Sequence, residues 1–308
     1  MTRPARWLPL VVACIFAPAV AVAELNVVAT LPDLASLAKA VGGDDVTVTA
    51  LAPPNQDPHY IDPRPNLILP LNRADLLIVN GLELEVGWLP PLQIAARNGR
   101  IQAGGSGFFD ASTVVRRLDV PTGKIDRAMG DVHPGGNPHF LYNPSESRRI
   151  VAALAKHMAR LDPKKAVDYA RRAAEVDRRL AEIAERHAAR FAQLPAERRR
   201  VITYHASLTY LLDWLDVEEV QNVEPRPGIP PTPAHTARVL STMKARGVRL
   251  ILQESYYPSK TSQTLARLVG GEVVVMSGGT RFTEGQDYFE HIDGLAERLH
   301  TALLRPTN

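Results

Sequence analysis

The order of predicted elements indicates an α/β protein with two similar lobes, each with a mainly parallel sheet, joined by one long rigid helix. Three observations support this fold class: strands and helices alternate in the first half of the chain, the same order recurs in the second half, and an uninterrupted amphipathic stretch separates them. Alternating strands and helices at this spacing form parallel sheets. We expect a signal peptide over 1–23, an N-terminal lobe over 24–161, a linking helix over 162–195 and a C-terminal lobe over 196–308.

In the first half, apolar runs alternate with segments of helical periodicity, and glycine or proline separates them. A Pro-rich loop follows the second strand. The predicted elements are a strand over 26–30, a helix over 32–41, a strand over 46–51, a helix over 66–72 and a strand over 76–79.

The second half repeats this order, again with a Pro-rich loop after its second strand. Few residues are identical between the halves, so the pattern indicates similar architecture rather than proven duplication. The predicted elements are strands over 201–204, 217–223, 249–253 and 272–276, with helices over 208–215 and 236–246.

The stretch between the halves contains no glycine from Asp162 to Pro195. Asp162 is a plausible N-cap, with Pro163 at the first helical position. Apolar residues recur every three or four positions, which predicts one buried face on a helix of about 30 residues, roughly 45 Å long. That face comprises Tyr169, Ala173, Val176, Leu180, Ile183, His187, Phe191 and Leu194. Because a helix is stiffer than a loop, we expect limited motion between the lobes.

The amino terminus has the pattern of a secretory signal peptide: Arg3 and Arg6, an apolar run from Trp7 to Val22, and small residues up to Ala23. We expect cleavage after Ala23 and an exported protein, most simply in the periplasm. The alternative is lipid attachment at Cys14, although the apolar stretch before that cysteine is short.

Composition limits the chemistry that this chain can support. Its 308 residues carry a formal net charge of +3, which is too even to indicate nucleic acid as a partner. The single cysteine excludes an intramolecular disulfide and a thiolate metal cluster. Any metal site must therefore depend on the nine histidines and on carboxylates.

Three histidines lie in loops or directly after strands, whereas most of the others fall on predicted helices. His59 follows Asp57-Pro58, His139 follows Asn137-Pro138, and His205 follows the strand over 201–204. Ligands bind outside the carboxyl ends of strands in open α/β sheets. Without cysteine, imidazole is the ligand that favours zinc. The pattern thus suggests a metal site between the lobes, although a single loop histidine is more often structural.

His133 lies in a glycine-containing loop and could capture metal transiently.

These motifs resemble those of the zinc- and manganese-binding solute-binding proteins of ABC importers, the ZnuA/TroA-like family. The residues that carry the resemblance are 27–34, Asp57 to Tyr60, Asn137 to Phe140 with Tyr142 to Pro144, Thr203 to His205, and Leu252 to Glu254. The resemblance covers essentially the whole mature chain, with the motifs in the same order. It implies two lobes, a rigid linking helix, and a metal bound by His59, His139 and His205.

The resemblance leaves the fourth ligand open. Many zinc-type members have a long His-rich loop before the second histidine, whereas here this loop contains only His133. Members with an aspartate ligand have it shortly after the last strand, where this chain has Ser277-Gly278-Gly279. The candidates are Glu254, as a fourth ligand or as a partner that orients a histidine, then Asp287, Glu284 or water.

The expected function is to capture a divalent metal and to deliver it to an inner-membrane ABC permease. Zinc is the expected metal, with manganese as the alternative. We expect the chain to act as a monomer and not as an enzyme. A secreted zinc hydrolase is the alternative, since three histidines and a water also form catalytic zinc sites. Glu254 would be its general base, but the chain has no His-Glu-x-x-His motif. A surface adhesin or metal-free interaction module is a third possibility.

Overall fold

The structure is a computed structural model that describes residues 24–123, 130 and 132–305. The predicted signal peptide and Cys14 lie outside the described residues. In the part of the chain that is described, no helix has the length and apolar character that a membrane span requires.

The first sheet contains four parallel strands in the order β2-β1-β3-β4. The strands are β1 (Leu25–Ala29), β2 (Val46–Ala50), β3 (Leu76–Val79) and β4 (Phe108–Asp110). The first three confirm the sequence prediction to within about one residue at each end. The three-residue strand β4 was not predicted, because it is too short to show a period.

The second sheet repeats this topology, with four parallel strands in the order β6-β5-β7-β8. The strands are β5 (Arg200–Thr203), β6 (Glu218–Asn222), β7 (Leu250–Glu254) and β8 (Glu272–Met276). In each sheet the second and third strands of the chain flank the first, which confirms two parallel-sheet lobes of similar architecture.

Nine α-helices cover and connect the two sheets in the described residues. They are α1 (Pro32–Gly42), α2 (Ile68–Arg73), α3 (Leu89–Ala96), α4 (Pro144–Leu161), α5 (Ala166–Ala192), α6 (Thr209–Leu215), α7 (Pro233–Arg246), α8 (Lys260–Leu268) and α9 (Tyr288–Leu304).

The long helix α5 contains 27 residues and packs against α1 and α4 of the first half and α6 and α9 of the second. Its predicted apolar face is buried over its whole length, from Tyr169 to Phe191. The predicted N-cap at Asp162 is wrong. A 3₁₀ turn over Pro163–Lys165 comes first, and the side chain of Asp162 makes no capping hydrogen bond. The chain enters the long helix through this turn, and α5 starts at Ala166.

Buried hydrogen bonds connect the two halves beside α5. The carboxylate of Asp33, at the start of α1, accepts a hydrogen bond of 2.8 Å from the Thr280 hydroxyl. The backbone N–H of Tyr288, at the start of α9, donates to the Ser36 hydroxyl at 2.8 Å. These contacts hold the first helix against the segment that follows β8.

Candidate metal site

His59 lies in the loop after β2, and its ring is fixed by an aspartate two residues earlier. Asp57 Oδ1 accepts hydrogen bonds from the His59 backbone N–H at 3.0 Å and from ring Nδ1 at 2.7 Å. Trp88 Nε1 donates to the Pro58 carbonyl at 2.9 Å, which anchors the loop. Burial alone would raise the pKa of Asp57, but its bonds to His59 and the charge of that ring outweigh burial and lower the pKa.

His139 begins the 3₁₀ turn that leads into α4. Its backbone N–H donates to Asn137 Oδ1 at 3.0 Å, while Asn80 Nδ2 donates to the Pro138 carbonyl at 2.9 Å. The ring is buried, and its Nε2 has no hydrogen-bond partner among the described residues. Burial, and then the charges of neighbouring histidines, hold the pKa of His139 well below its ordinary value, so this imidazole is a neutral electron-pair donor near pH 7.

His205 follows β5, and a buried glutamate from the segment after β6 holds its ring. Glu224 Oε2 lies 2.8 Å from His205 Nδ1, and both side chains are more than nine-tenths buried. Burial opposes protonation of His205, but the hydrogen bond and charge of Glu224 outweigh it, so the pKa of His205 is raised. The carboxylate thereby fixes one ring nitrogen and leaves the other, Nε2, for a ligand.

The three imidazoles form one cluster. Their ring centroids are separated by 5.2 Å for His59 and His139, 6.0 Å for His59 and His205, and 5.7 Å for His139 and His205. Among the described residues, no group of three or more His, Cys, Asp or Glu side chains is arranged to hold a metal ion as it stands. The rings are thus adjacent, and their donor atoms do not yet converge on one point.

A fourth imidazole, that of His133, joins this cluster. Its ring centroid lies 5.2 Å from that of His59, and the two Nε2 atoms are 3.1 Å apart. When His59 is neutral and its Nδ1 donates to Asp57, its Nε2 is the acceptor in this contact, and His133 Nε2 is assigned as the donor. The structure therefore brings His133 beside the three predicted histidines.

Glu254 is the last residue of β7 and is fully buried. Its Oε1 accepts a hydrogen bond from the Ser207 hydroxyl, while Oε2 is buried without a hydrogen-bond partner among the described residues. Burial raises the pKa of Glu254 to about 7. This carboxylate is therefore anchored from the side of Ser207 and retains one unused acceptor atom.

The two alternative acidic candidates have other partners. Asp287 Oδ1 caps α9 by accepting the Glu290 backbone N–H at 2.8 Å. The exposed Glu284 pairs with Arg281 at 3.7 Å. After β8, a Cβ atom at Gly278 would lie 2.2 Å from Tyr256 Cε1, so the aromatic ring occupies the space that a longer side chain would need. An acidic side chain at position 278 would therefore overlap Tyr256.

Sequence reasoning did not identify the two carboxylates that orient the rings. Asp57 could have been found, because an aspartate two residues before a loop residue commonly forms this local turn. Glu224 gave no such signal, since it lies 19 residues from His205 and approaches it only through the pairing of β5 with β6.

Two parallel-sheet lobes are joined by a long helix, and an imidazole cluster lies between them. This combination is typical of a metal-binding protein of the bilobed substrate-binding class. The family model described as "Zinc-uptake complex component A periplasmic" (ZnuA) matches residues 27–302. The chain belongs to this family, whose members are the metal-binding substrate-binding proteins of ABC importers.

Similar proteins include carriers named for different metals. The manganese ABC transporter substrate-binding lipoprotein PsaA of Streptococcus pneumoniae is 24% identical over 247 residues, which cover 79% of this chain and 76% of PsaA. The high-affinity zinc uptake system protein ZnuA of Bacillus subtilis is 24% identical over 257 residues, covering 82% of this chain and 78% of that protein. A crystal structure of a ZnuA deletion mutant with zinc bound has a TM-score of 0.78 at 22% identity, covering 92% of this chain and all of that one.

Family membership establishes the general function. Members bind metal as cargo outside the cytoplasm and work with the permease and ATPase of an ABC importer, and the family is one of transport components rather than enzymes. Because the relatives include zinc and manganese carriers, membership alone leaves the metal open. The hydrolase alternative finds no support in these relatives.

Proposed function

We propose that this chain captures a divalent metal ion, with zinc as the preferred cargo, on His59, His139 and His205, and delivers it to an ABC permease. The spacing of the three rings carries this proposal. Two imidazoles bound to one tetrahedral zinc have centroids about 5.2 Å apart, because each centroid lies about 3.2 Å from the metal. The observed separations of 5.2, 6.0 and 5.7 Å lie close to this value.

His133 is proposed as the fourth donor. Two nitrogen ligands on a tetrahedral zinc are about 3.3 Å apart, and the Nε2 atoms of His59 and His133 are separated by 3.1 Å. Metal binding replaces the hydrogen bond between these rings, and the proton on His133 Nε2 is released or moves to Nδ1. Rotation of the side chains within the cluster then directs the donor atoms to one point.

The carboxylates of Asp57 and Glu224 prepare two of the ligands. Each holds Nδ1 of its histidine within 2.8 Å, so that Nε2 retains the lone pair that binds the metal. His139 needs no such partner for its charge state, since burial already keeps it neutral. The two negative charges also offset the charge of a divalent ion in a buried site.

The donor set favours zinc over manganese. Neutral imidazole suits zinc, whereas manganese favours carboxylate, carbonyl and water oxygens. Glu254, whose charge acts on His205, is a carboxylate that would change this preference through Oε2, which has no hydrogen-bond partner among the described residues. We assign it a supporting role behind the ligands, because Ser207 holds its other oxygen and burial favours its protonated form.

The test is equilibrium binding to the mature chain, residues 24–308, stripped of metal and then offered zinc and manganese together. One zinc per chain is expected, and His139→Ala should weaken binding by more than the about 10–100-fold that loss of an outer partner costs. His157→Ala is the matched control, since this histidine is equally buried and bonds the Ser106 carbonyl at 2.8 Å. Unchanged zinc affinity in His139→Ala would refute the site.

Two further variants identify the fourth donor. We expect His133→Ala to weaken zinc binding more than Glu254→Gln does, because only the former removes a ligand. The reverse order would assign the fourth position to Glu254. Preferential retention of manganese by the unaltered chain would refute the choice of zinc.

We also propose that the two lobes comprise residues 24–161 and 196–308, with 162–195 as the linker. We further propose that the chain is cleaved after Ala23 and acts in the periplasm as a monomer. Mass spectrometry of the exported protein separates this processing from lipid attachment at Cys14. A chain that begins at Glu24 is expected, whereas a lipid-modified cysteine would contradict it. Light scattering of the metal-loaded chain tests the monomer.

A further inference from the structure

A second feature adjoins the imidazole cluster: a cavity of about 300 Å³ between the two halves of the chain. His133, His139 and His205 line it on one side, and Asp119 and Glu219 line it as well. Asp119 follows the first sheet in the chain, whereas Glu219 lies on β6 of the second. The cavity therefore contacts three imidazoles and one carboxylate from each half.

Exposure decreases from the acidic groups toward the imidazoles. Asp119 is exposed and Glu219 is half-buried, whereas His139 and His205 are at least nine-tenths buried. None of the described residues that line the cavity is lysine or arginine. Carboxylates thus lie at the outer part of the cavity, and imidazoles lie at its inner end.

Polar neighbours hold the two carboxylates in place. Asn137 Nδ2 donates to Asp119 Oδ2 at 3.0 Å and to the Ala206 carbonyl at 2.7 Å. Asn222 Nδ2 donates to Glu219 Oε1 at 2.6 Å, and the Thr203 hydroxyl donates to the same atom. A carboxylate has about four acceptor positions, so each group retains capacity for a cation. Burial, with a contribution from the charge of Asp119, raises the pKa of Glu219.

A residue in the wall of this cavity has a buried nitrogen without a hydrogen-bond partner. His139, which lines this cavity and also a smaller one with Tyr142 and Tyr256, has a buried Nε2 with no such partner among the described residues. A buried nitrogen acceptor without a partner is costly unless something binds to it. A larger cavity of about 580 Å³ lies on the side of His59 and His133, with Asp62 and Glu83 among its lining residues, but it does not include His139.

We propose that the divalent cation reaches the imidazole cluster through the 300 Å³ cavity, and that Asp119 and Glu219 form a transient binding site on this route. The inference rests on the proposed function, because it assumes that the cluster is where the cargo is bound. Negative charge on an entry route raises the local concentration of cations and the association rate. Neutralising either carboxylate should therefore slow zinc association about fivefold, and the double variant should multiply the two effects.

The test is stopped-flow transfer of zinc from a chromophoric chelator to the stripped mature chain, under second-order conditions. The variants are Asp119→Asn, Glu219→Gln and the double variant. Asp62→Asn and Glu83→Gln are the matched controls, because they remove the same charges from the other cavity. His205→Ala is measured in parallel as a test of the cluster itself.

The expected result is slower association in the Asp119 and Glu219 variants only, a difference that shrinks as salt rises. Dissociation should slow with association, so that Kd changes by less than about threefold, because a transient site lowers the barrier in both directions. Equal slowing in the controls would overturn the route. Wild-type association with weakened Kd would also overturn it, since the carboxylates would then belong to the final site. If His205→Ala bound zinc normally, the proposed function would fail instead.

Discussion

Replacement of Glu224 by glutamine tests whether this carboxylate prepares His205 for metal. The hydrogen bond between Glu224 Oε2 and His205 Nδ1 is 2.8 Å long, and both side chains are more than nine-tenths buried, so solvent screens the interaction little. Loss of such an outer partner costs about 10–100-fold in metal affinity, equivalent to about 1.4–2.8 kcal/mol. We expect Glu224→Gln to raise the zinc Kd by this factor at pH 8.

The pH profile gives a second readout that a merely structural role would not change. Glu224 raises the pKa of His205, so protons compete with zinc for this ring at a higher pH than at an ordinary histidine. Without the carboxylate, burial dominates and the pKa of His205 falls. The pH at which the zinc affinity falls to half of its value at pH 8, the midpoint, should therefore be lower in the variant than in the wild type. The affinity at pH 8 itself should decrease.

Zinc binding is measured by competition with a chelator between pH 5 and pH 8. Glu146→Gln is the control, because Glu146 is also a buried glutamate whose Oε2 accepts a backbone N–H, from Arg116 at 2.7 Å. It should leave both the affinity and the midpoint unchanged. The reasoning would be refuted if Glu224→Gln kept the wild-type midpoint and affinity, or if the control shifted both equally.

Three further outcomes follow from ligand linkage and packing. Zinc at 100 times its Kd should stabilise the fold by about 2.7 kcal/mol, seen as a rise in Tm by calorimetry; no rise would contradict binding to the folded state. Leu180→Ala on the buried face of α5 should cost about 2–5 kcal/mol in urea unfolding, whereas Arg178→Ala, in an exposed ion-pair network, should leave the urea midpoint nearly unchanged. Gly278→Ala should destabilise by about 1–3 kcal/mol through overlap with Tyr256, but Gly294→Ala, with open space in α9, should stabilise slightly; equal effects would contradict this packing.

The fold was largely predictable because its signals are local and periodic. The buried face of α5 follows from residues three and four apart, and β1 to β3 follow from short apolar runs between turn residues. The start of α5 was missed because Asp162 and Pro163 fit both an α-helical N-terminus and a 3₁₀ turn. Local pattern determines the type of an element better than its first residue.

The clustering of the candidate ligands was predictable because these histidines stand in loops or directly after strands. His59 and His205 follow β2 and β5, so topology alone directs them toward the same region. The contact of His133 with His59 spans 74 residues and depends on how a loop folds back, which periodicity does not encode. The same holds for Glu224, whose role emerges only when β5 and β6 are paired.

The contacts between the two halves limit how the cargo can be bound and released. Asp33 bonds Thr280 and Ser36 bonds Tyr288 on one side, while Asn137 donates to the Ala206 carbonyl beside the cavity. Each hydrogen bond of this kind contributes about 0.5–1.5 kcal/mol net, because the separated groups would bond to water instead. Wide separation of the halves would therefore cost up to several kcal/mol, out of the about 5–15 kcal/mol by which folded domains are stable. Rotation of rings within the imidazole cluster breaks fewer of these contacts than separation of the halves does. Replacement of the hydrogen bond between His59 and His133 by a metal is a change of this kind. Under the proposed function, we therefore expect docking on a permease to release the cargo by disturbing the loops that carry these rings.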